Sequence, residues 1–290
     1  MSTVIGIPTL NGPGRLQRCL RSIAECASLD DLRVVVCDDG STEEHLNKTK
    51  EVIQHESAAL PFLELLTNDG RRGISYSWNR LARRYADAKT VILLNDDTEL
   101  VLHAREALEF SLRENPTIGM VGLNAYLSLT KQQHANVFDA GREQAGYAKT
   151  QPHERMPRID YNEARLLDAG GQGLLSSQGA AFAFRKEVFD KVGGFDERYF
   201  VYYEELDFGC SLWKAGYVNF ILSYPIIFHQ GGATNSDPAN LDARQHMERS
   251  KKLFEEKWGK GISALRAELN ASYRRPAGLK EWNTQYHNWR

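Results

Sequence analysis

The chain has 290 residues, 42% of them hydrophobic and 26% charged, which is enough to bury a full core in one large domain or two small ones. The formal net charge of -2 provides no basic field, so nucleic acid is not expected as a partner. The four cysteines form no Cys-x-x-Cys pair, and three lie in apolar segments, which indicates small buried residues and no zinc site or disulfide framework.

The beginning of the chain does not resemble a targeting signal. It enters an apolar segment within a few residues, without the basic stretch and longer apolar run of a signal peptide. No apolar run in the sequence is long enough to span a bilayer. These features predict a cytoplasmic protein, for which peripheral contact with the inner face of a membrane stays open.

Short apolar strands alternate with amphipathic helices in the first half of the chain. The predicted strands cover 4–7, 32–37, 62–66, 91–94 and 118–123. Apolar residues recur at helical spacing in four stretches. These begin at Leu16, after a cap at Ser41 or Thr42, and at Ile74, and the fourth covers 102–113. Continuous apolar strands alternating with helices favour a parallel sheet that is covered on both faces.

Polar side chains follow the first four predicted strands where each strand ends. Because carboxyl ends of parallel strands meet at one edge, these side chains are expected to converge there. They are Thr9, Asn11, Asp39, Asn68, Asp96 and Asp97.

Two adjacent carboxylates, Asp96 and Asp97, follow a buried strand directly. Such a pair is costly to hold unless a cation meets it, and Mg²⁺ or Mn²⁺ commonly bridges carboxylates to substrate phosphates. The sequence therefore favours a metal–diphosphate site, with a solvated turn as the alternative.

The second half is less regular at first. Residues 124–177 lack periodicity and contain several glycines, which predicts a loop-and-hairpin insertion that forms a mobile wall over the active site, or else a surface excursion with no role. A strand at 180–184, a helix at 185–192 and a helix from 202–208 through Lys214 are predicted next. Two further helices, at 241–258 and around 262–269, precede an aromatic tail.

Seven short segments, in this order, resemble those of the family 2 glycosyltransferases. They are Pro8-Thr9-Leu10-Asn11, Cys37-Asp38-Asp39-Gly40-Ser41, Asn68-Asp69-Gly70-Arg71-Arg72-Gly73, Leu94-Asn95-Asp96-Asp97, Gly179-Ala180, Val192-Gly193-Gly194-Phe195-Asp196-Glu197 and Tyr203-Glu204-Glu205-Leu206-Asp207. The family consists of inverting enzymes with the nucleotide-sugar transferase type A (GT-A) fold.

The resemblance implies one Rossmann-like α/β domain, with a mixed, mostly parallel sheet flanked by helices and a C-terminal helical extension. The implied catalytic domain is 1–238, in which 1–123 binds the nucleotide sugar and 124–238 holds the acceptor side and the catalytic residues. The extension covers 239–290. The family pattern also implies a site for the sugar donor, formed by Pro8, Thr9, Asn11, Asp39, Asn68, Arg72, Gly73, Asp96 and Gly179.

Individual roles follow from the same resemblance. Thr9 and Asp39 would meet the nucleotide base, with Asp39 accepting the N3–H of uracil or thymine, since a carboxylate is only an acceptor. Asn68, Arg72 and Gly73 would line the phosphate side.

The metal and the base are also implied. The family has Asp-x-Asp where this chain has Asn95-Asp96-Asp97, so Mn²⁺ or Mg²⁺ is placed mainly on Asp97 and the ribose or a second contact on Asp96. His229 is a second candidate metal ligand, or a histidine with a purely structural hydrogen bond.

An inverting transfer needs one carboxylate to take the proton of the acceptor hydroxyl. The family position for this base is Glu205, and Glu204 is the alternative base or an acceptor-binding residue. The competing interpretation is an acidic first helical turn that the helix dipole favours.

The predicted function is a metal-assisted, inverting transfer of a sugar from a UDP- or dTDP-sugar to a hydroxyl on a glycan, glycolipid or other acceptor, in glycan or polysaccharide biosynthesis. Two other classes stay open. A nucleotidyltransferase would need a glycine-rich loop and a basic residue after the first strand, and a non-catalytic nucleotide-sugar-binding module would not need Asp97 or Glu205. A dinucleotide dehydrogenase is disfavoured because no Gly-x-Gly-x-x-Gly follows an early strand.

Overall fold

A computed structural model describes residues 2–127, 132–134, 163–229 and 241–283, and every structural statement below refers to these residues. The strands are β1 (Thr3–Thr9), β2 (Leu32–Asp38), β3 (Leu63–Thr67), β4 (Thr90–Leu94), β5 (Thr98–Leu100), β6 (Ile118–Leu127), β7 (Gln132–His134), β8 (Glu163–Ala164), β9 (Leu166–Leu167), β10 (Ala181–Arg185), β11 (Val218–His229) and β12 (Trp282–Asn283). The helices are α1 (Pro13–Cys26), α2 (Glu43–Glu56), α3 (Ile74–Arg83), α4 (Ala104–Glu114), α5 (Lys186–Val192), α6 (Glu204–Lys214), α7 (Leu241–Trp258) and α8 (Ile262–Ser272).

The main sheet has the strand order β3-β2-β1-β4-β10-β6-β11-β5. Parallel pairing joins β3, β2, β1 and β4, and it also joins β6 and β11. Strand β10 is antiparallel to both β4 and β6, and β5 is antiparallel to β11. The predicted mixed, mostly parallel sheet is confirmed, and the carboxyl ends of β1, β2, β3, β4, β6 and β11 all lie at one edge.

Helices cover both faces of this sheet. One apolar cluster contains Ile5 and Ile7 of β1 together with Leu16 of α1 and Leu108 of α4. The cluster on the other face contains Val4, with Trp78 of α3, Phe189 of α5 and Phe208 of α6. Burial of successive residues of β1 on opposite faces explains why this strand is apolar throughout.

The two C-terminal helices pack on α6. Leu206 and Cys210 of α6 share a third apolar cluster with Phe254 of α7 and with Leu265 and Leu269 of α8. The predicted helices at 241–258 and 262–269 are therefore present, and they bury their apolar faces against the helix that begins at Glu204. The domain boundary at 238/239 stays a prediction.

Most of the predicted insertion, residues 128–131 and 135–162, lies outside the described residues, and so does the mobile wall expected there. The predicted start at 124 was early, because β6 continues to Leu127 and β7 pairs with it in an antiparallel arrangement. Within the described ranges, no helix combines the length and the apolar character that crossing a membrane requires.

Candidate active site

A cavity of about 570 Å³ opens at the carboxyl edge of the sheet. The topology explains which segments reach it: β1, β2, β4 and β11 end there, the antiparallel β10 begins there, and the first turns of α3, α6 and α7 border it. The predicted residues that line it are Pro8, Thr9, Asn11, Asp39, Gly73, Asp96, Asp97, Gly179, Glu204, Glu205 and His229.

Asp39 connects the loops that follow β2 and β3. Its Oδ1 accepts hydrogen bonds from the Asn68 amide at 2.7 Å and the Arg72 backbone N–H at 2.9 Å, and its Oδ2 accepts one from the Gly73 backbone N–H at 2.9 Å. The Ser77 hydroxyl donates to Oδ1 at 3.3 Å. These bonds hold the carboxylate rigidly at the cavity wall, and they make Asn68 a support for Asp39.

Asp96 lies between β1 and α1. Its Oδ2 accepts a hydrogen bond from the Thr9 hydroxyl at 2.7 Å and lies 3.3 Å from the Arg15 guanidinium. Burial raises the pKa of Asp96, although Arg15 and Thr9 both act in the opposite direction. Gly12 is required for this arrangement, because a Cβ there would lie 2.5 Å from Asp96 Oδ2.

Asp97 meets His229 across a strand pair. The register of β5 with β11 places Thr98 opposite His229, so the preceding Asp97 lies beside the imidazole. The distance from His229 Nε2 to Asp97 Oδ1 is 3.3 Å, and both side chains are about nine-tenths buried. Nδ1 of His229 is buried and has no hydrogen-bond partner among the described residues.

The acidic pair begins helix α6. Tyr202 and Tyr203, directly before it, have φ angles of 70° and 72°, in the left-handed region that non-glycine residues rarely adopt. Two such residues in succession cost free energy and persist only where the surrounding structure holds them, as is common at functional sites.

The two glutamates differ in environment. Glu204 is buried, and its Oε2 has no hydrogen-bond partner in the described part of the chain. Burial, together with the neighbouring charge of Glu205, raises the pKa of Glu204 well above its usual value. Glu205 is half-buried, and its carboxyl lies next to Gly179, where a Cβ would be 3.5 Å from Glu205 Cδ.

Two predicted residues, Asn68 and Arg72, do not line the cavity, and several residues that do line it were missed. The Arg72 guanidinium lies over the Tyr76 ring at 4.6 Å, while the neighbouring Arg71 lines the cavity. Sequence reasoning assigned no role to Arg15 or to helix α7, which contributes Asp242, Ala243 and His246 to the cavity wall. The apolar face of α7 was the available signal, but it does not identify the surface on which the helix packs.

The residues at Asp97 fit a divalent cation. Carboxylate oxygen and imidazole nitrogen are suitable ligands for Mn²⁺, and His229 Nε2 and Asp97 Oδ1 lie side by side at 3.3 Å. No group of three or more His, Cys, Asp or Glu side chains within the described ranges could hold a metal alone. These residues therefore fit a cation whose remaining ligands come from a diphosphate and water.

The fold is that of the GT-A glycosyltransferases. A mannosyltransferase, PcManGT from Pyrobaculum calidifontis, in complex with GDP-Man and Mn²⁺, superimposes with a TM-score of 0.62 at 19% identity, over 92% of this chain and 68% of the other. GalNAc-T7 with UDP, GalNAc and Mn²⁺ gives a TM-score of 0.60 at 15% identity, over 93% of this chain and 56% of the other. At these identities the likeness establishes the fold alone.

Residues 4–193 match the sequence profile of Glycosyl transferase family 2, and the chain belongs to this family. It is a glycosyltransferase. It is also 26% identical over 261 residues to the N-acetylglucosaminyl-diphospho-decaprenol L-rhamnosyltransferase of Mycobacterium tuberculosis, covering 84% of this chain and 80% of that protein. The profile match ends before Glu204, Glu205 and His229, so their roles depend on the geometry of the cavity.

Proposed function

We propose that this chain transfers a sugar, with inversion, from a UDP- or dTDP-sugar to a hydroxyl of a glycan or lipid-linked acceptor in polysaccharide assembly. The observation that carries the proposal is that one cavity contains both Asp97 with His229 and the pair Glu204 and Glu205. The similarity to a rhamnosyltransferase named for a diphospho-decaprenol substrate supports a lipid-linked acceptor. A peripheral position at the membrane would be compatible with such an acceptor.

The loops after β1 and β2 would bind the nucleotide. Oδ2 of Asp39 accepts one hydrogen bond from the described residues, and a carboxylate oxygen has capacity for a second from the N3–H of uracil or thymine. Thr9 and Asp96 are already joined, so the ribose would meet a rigid surface. Arg71, which lines the cavity, replaces Arg72 as the candidate cation on the phosphate side.

Asp97 and His229 would hold Mn²⁺ or Mg²⁺ together with the diphosphate. The bound cation would supply Lewis-acid stabilisation of the departing diphosphate. Full transfer activity in excess EDTA would contradict this assignment.

Glu205 would act as the general base. The acceptor oxygen forms a bond to the anomeric carbon as the bond from that carbon to the diphosphate oxygen breaks, and the hydroxyl proton moves to the Glu205 carboxylate. The environments of the two glutamates support this division of roles. Burial raises the pKa of Glu204 and so favours its protonated form, which can donate a hydrogen bond to the acceptor, whereas Glu205 is half-buried.

A sugar-donor screen tests the proposal. UDP-, dTDP- and GDP-sugars, each with and without Mn²⁺, are compared by thermal shift and then by transfer to an N-acetylglucosaminyl-diphospho-lipid. A sugar donor at 100 times its Kd stabilises the folded state by about 2.7 kcal/mol. Binding without nucleotide release would favour a non-catalytic binding module, and a lack of stabilisation by every compound would refute the proposal.

A further inference from the structure

Helix α7 contacts the segment that leads into the acidic pair. The Ser250 hydroxyl donates a hydrogen bond to the Val201 carbonyl oxygen at 2.8 Å. The His246 ring is stacked on Phe200 with centroids 4.6 Å apart and an interplanar angle of 16°. Phe254 also packs on Tyr203, with ring centroids 5.5 Å apart. His246, Ser250 and Phe254 are four residues apart, so successive turns of α7 lie along this segment.

The end of α7 is also tied to the first turn of α6. Asp207, which is 1% exposed, accepts hydrogen bonds from Lys257 Nζ at 2.8 Å and Trp258 Nε1 at 2.9 Å. The Tyr199 hydroxyl donates to the same carboxylate at 3.3 Å. Burial raises the pKa of Asp207, and Lys257 is the cation that opposes this effect.

These contacts surround a backbone that needs support. Tyr202 and Tyr203 both have left-handed φ angles, a conformation that is sterically unfavourable for a residue with a Cβ. The contacts with Val201 and Asp207 hold the chain on either side of the two tyrosines. Without them, the segment could relax and turn the start of α6, including Glu204 and Glu205, away from the cavity.

We propose that helix α7 positions the acidic pair, with Lys257 and Ser250 as positioning residues that act through Asp207 and Val201. The proposal rests on the proposed function, because it assigns to the C-terminal extension the task of fixing the general base. Lys257 does not line the cavity, and its ammonium group binds Asp207 at 2.8 Å and Asp196 at 3.0 Å. Its effect on transfer would therefore be exerted through these carboxylates, of which Asp207 lies in the first turn of α6.

Substitution of Lys257 tests the proposal. Lys257→Met should lower kcat by about 10–10²-fold, the cost of a small misplacement of a catalytic group, while the KM for the sugar donor stays within about twofold. Lys257→Arg should recover most of the rate because a positive charge beside Asp207 is restored. Lys252→Met is the matched control, since this lysine on the same helix is 79% exposed.

A second variant, Ser250→Ala, keeps the test valid if Lys257→Met fails to fold. Lys257→Met leaves a buried carboxylate without its cation, which is strongly destabilising, whereas Ser250→Ala removes a single hydrogen bond and is milder. We expect Ser250→Ala to fold, to lower kcat severalfold, and to retain the thermal shift given by UDP or dTDP with Mn²⁺.

Hydrogen exchange separates this proposal from the proposed function. Amides within 199–207 should exchange faster in Lys257→Met and Ser250→Ala than in the parent chain, even if no sugar donor supports transfer. Folded variants with the parent kcat, or with the parent exchange rates in 199–207, would overturn the positioning role. A parent chain that binds no nucleotide sugar would instead refute the proposed function.

Discussion

Gly73→Ala should disturb both sides of the cavity at once. Gly73 has φ of 90°, and an added Cβ would lie 2.5 Å from the carbonyl oxygen of Phe200. The same carbonyl accepts a hydrogen bond from the Ile74 backbone N–H at 2.8 Å. An alanine therefore has to displace the segment that leads to Glu204, or else move the loop whose backbone binds Asp39.

Two contributions set the expected loss. The backbone of Gly73, with φ of 90° and ψ of 169°, lies in a region that is essentially restricted to glycine, and it costs a residue with a Cβ about 1–3 kcal/mol. Overpacking against backbone adds about 1–3 kcal/mol, because the Phe200 carbonyl cannot rotate away as a flexible side chain could. The free energy of unfolding should therefore fall by about 2–6 kcal/mol when these two contributions are combined.

Gly193 provides a control without the clash. Its φ of 89° and ψ of 1° lie in the left-handed helical region, and a Cβ there would meet nothing within 4 Å, so Gly193→Ala measures the cost of a positive φ alone. Urea denaturation of both variants should give a larger loss for Gly73→Ala by about 1–3 kcal/mol, and only Gly73→Ala should lower kcat. Equal losses within 0.5 kcal/mol, on the order of the uncertainty of such comparisons, would refute the reasoning.

Three further predictions concern the acidic residues. Asp97→Ala should abolish transfer and the Mn²⁺ dependence of UDP or dTDP binding while the circular dichroism spectrum stays unchanged; retained Mn²⁺-dependent binding would contradict the assignment. Glu205→Gln should lower the transfer rate by about 10²–10⁴ with little change in sugar-donor affinity, and a larger loss in Glu204→Gln would exchange the two roles. Because the folded-state pKa of Glu204 is raised, its contribution to stability is present below the usual value of 4.5 and is lost as pH rises through the folded-state pKa. The Tm of Glu204→Gln relative to the parent chain should therefore increase as the pH rises above the usual carboxyl value of 4.5, and a Tm difference that does not change with pH would contradict the raised pKa of Glu204.

The parallel part of the fold was predictable because its signals are local. Strands β1, β2 and β4 are buried on both faces and therefore appear as continuous apolar runs, each ending in polar residues. Strand β11 was not predicted as a strand; only the apolar run before His229 was recognised. Its register with β6 shifts at three places, which removes the simple alternation on which such a prediction depends.

The details of the cavity depend on contacts between distant residues. Arg15 pairs with Asp96 across 81 positions in the sequence, and no local pattern indicates this contact. The choice between Arg71 and Arg72 is set by the loop backbone around Gly73, which spacing alone does not determine. The convergence of Thr9, Asp39 and Asp96 was predictable, since it requires only that parallel strands end at one edge.

The pairing of β11 restricts how the length of this strand can vary among related proteins. His229 is the last of 12 strand residues, and it meets Asp97 only because it lies opposite Thr98. Insertion or deletion of one residue within β11 would place a neighbour at this position and turn the imidazole to the opposite face of the sheet. Relatives with a longer or shorter β11 should therefore have gained or lost a β-bulge as well, so that a histidine still reaches the aspartate.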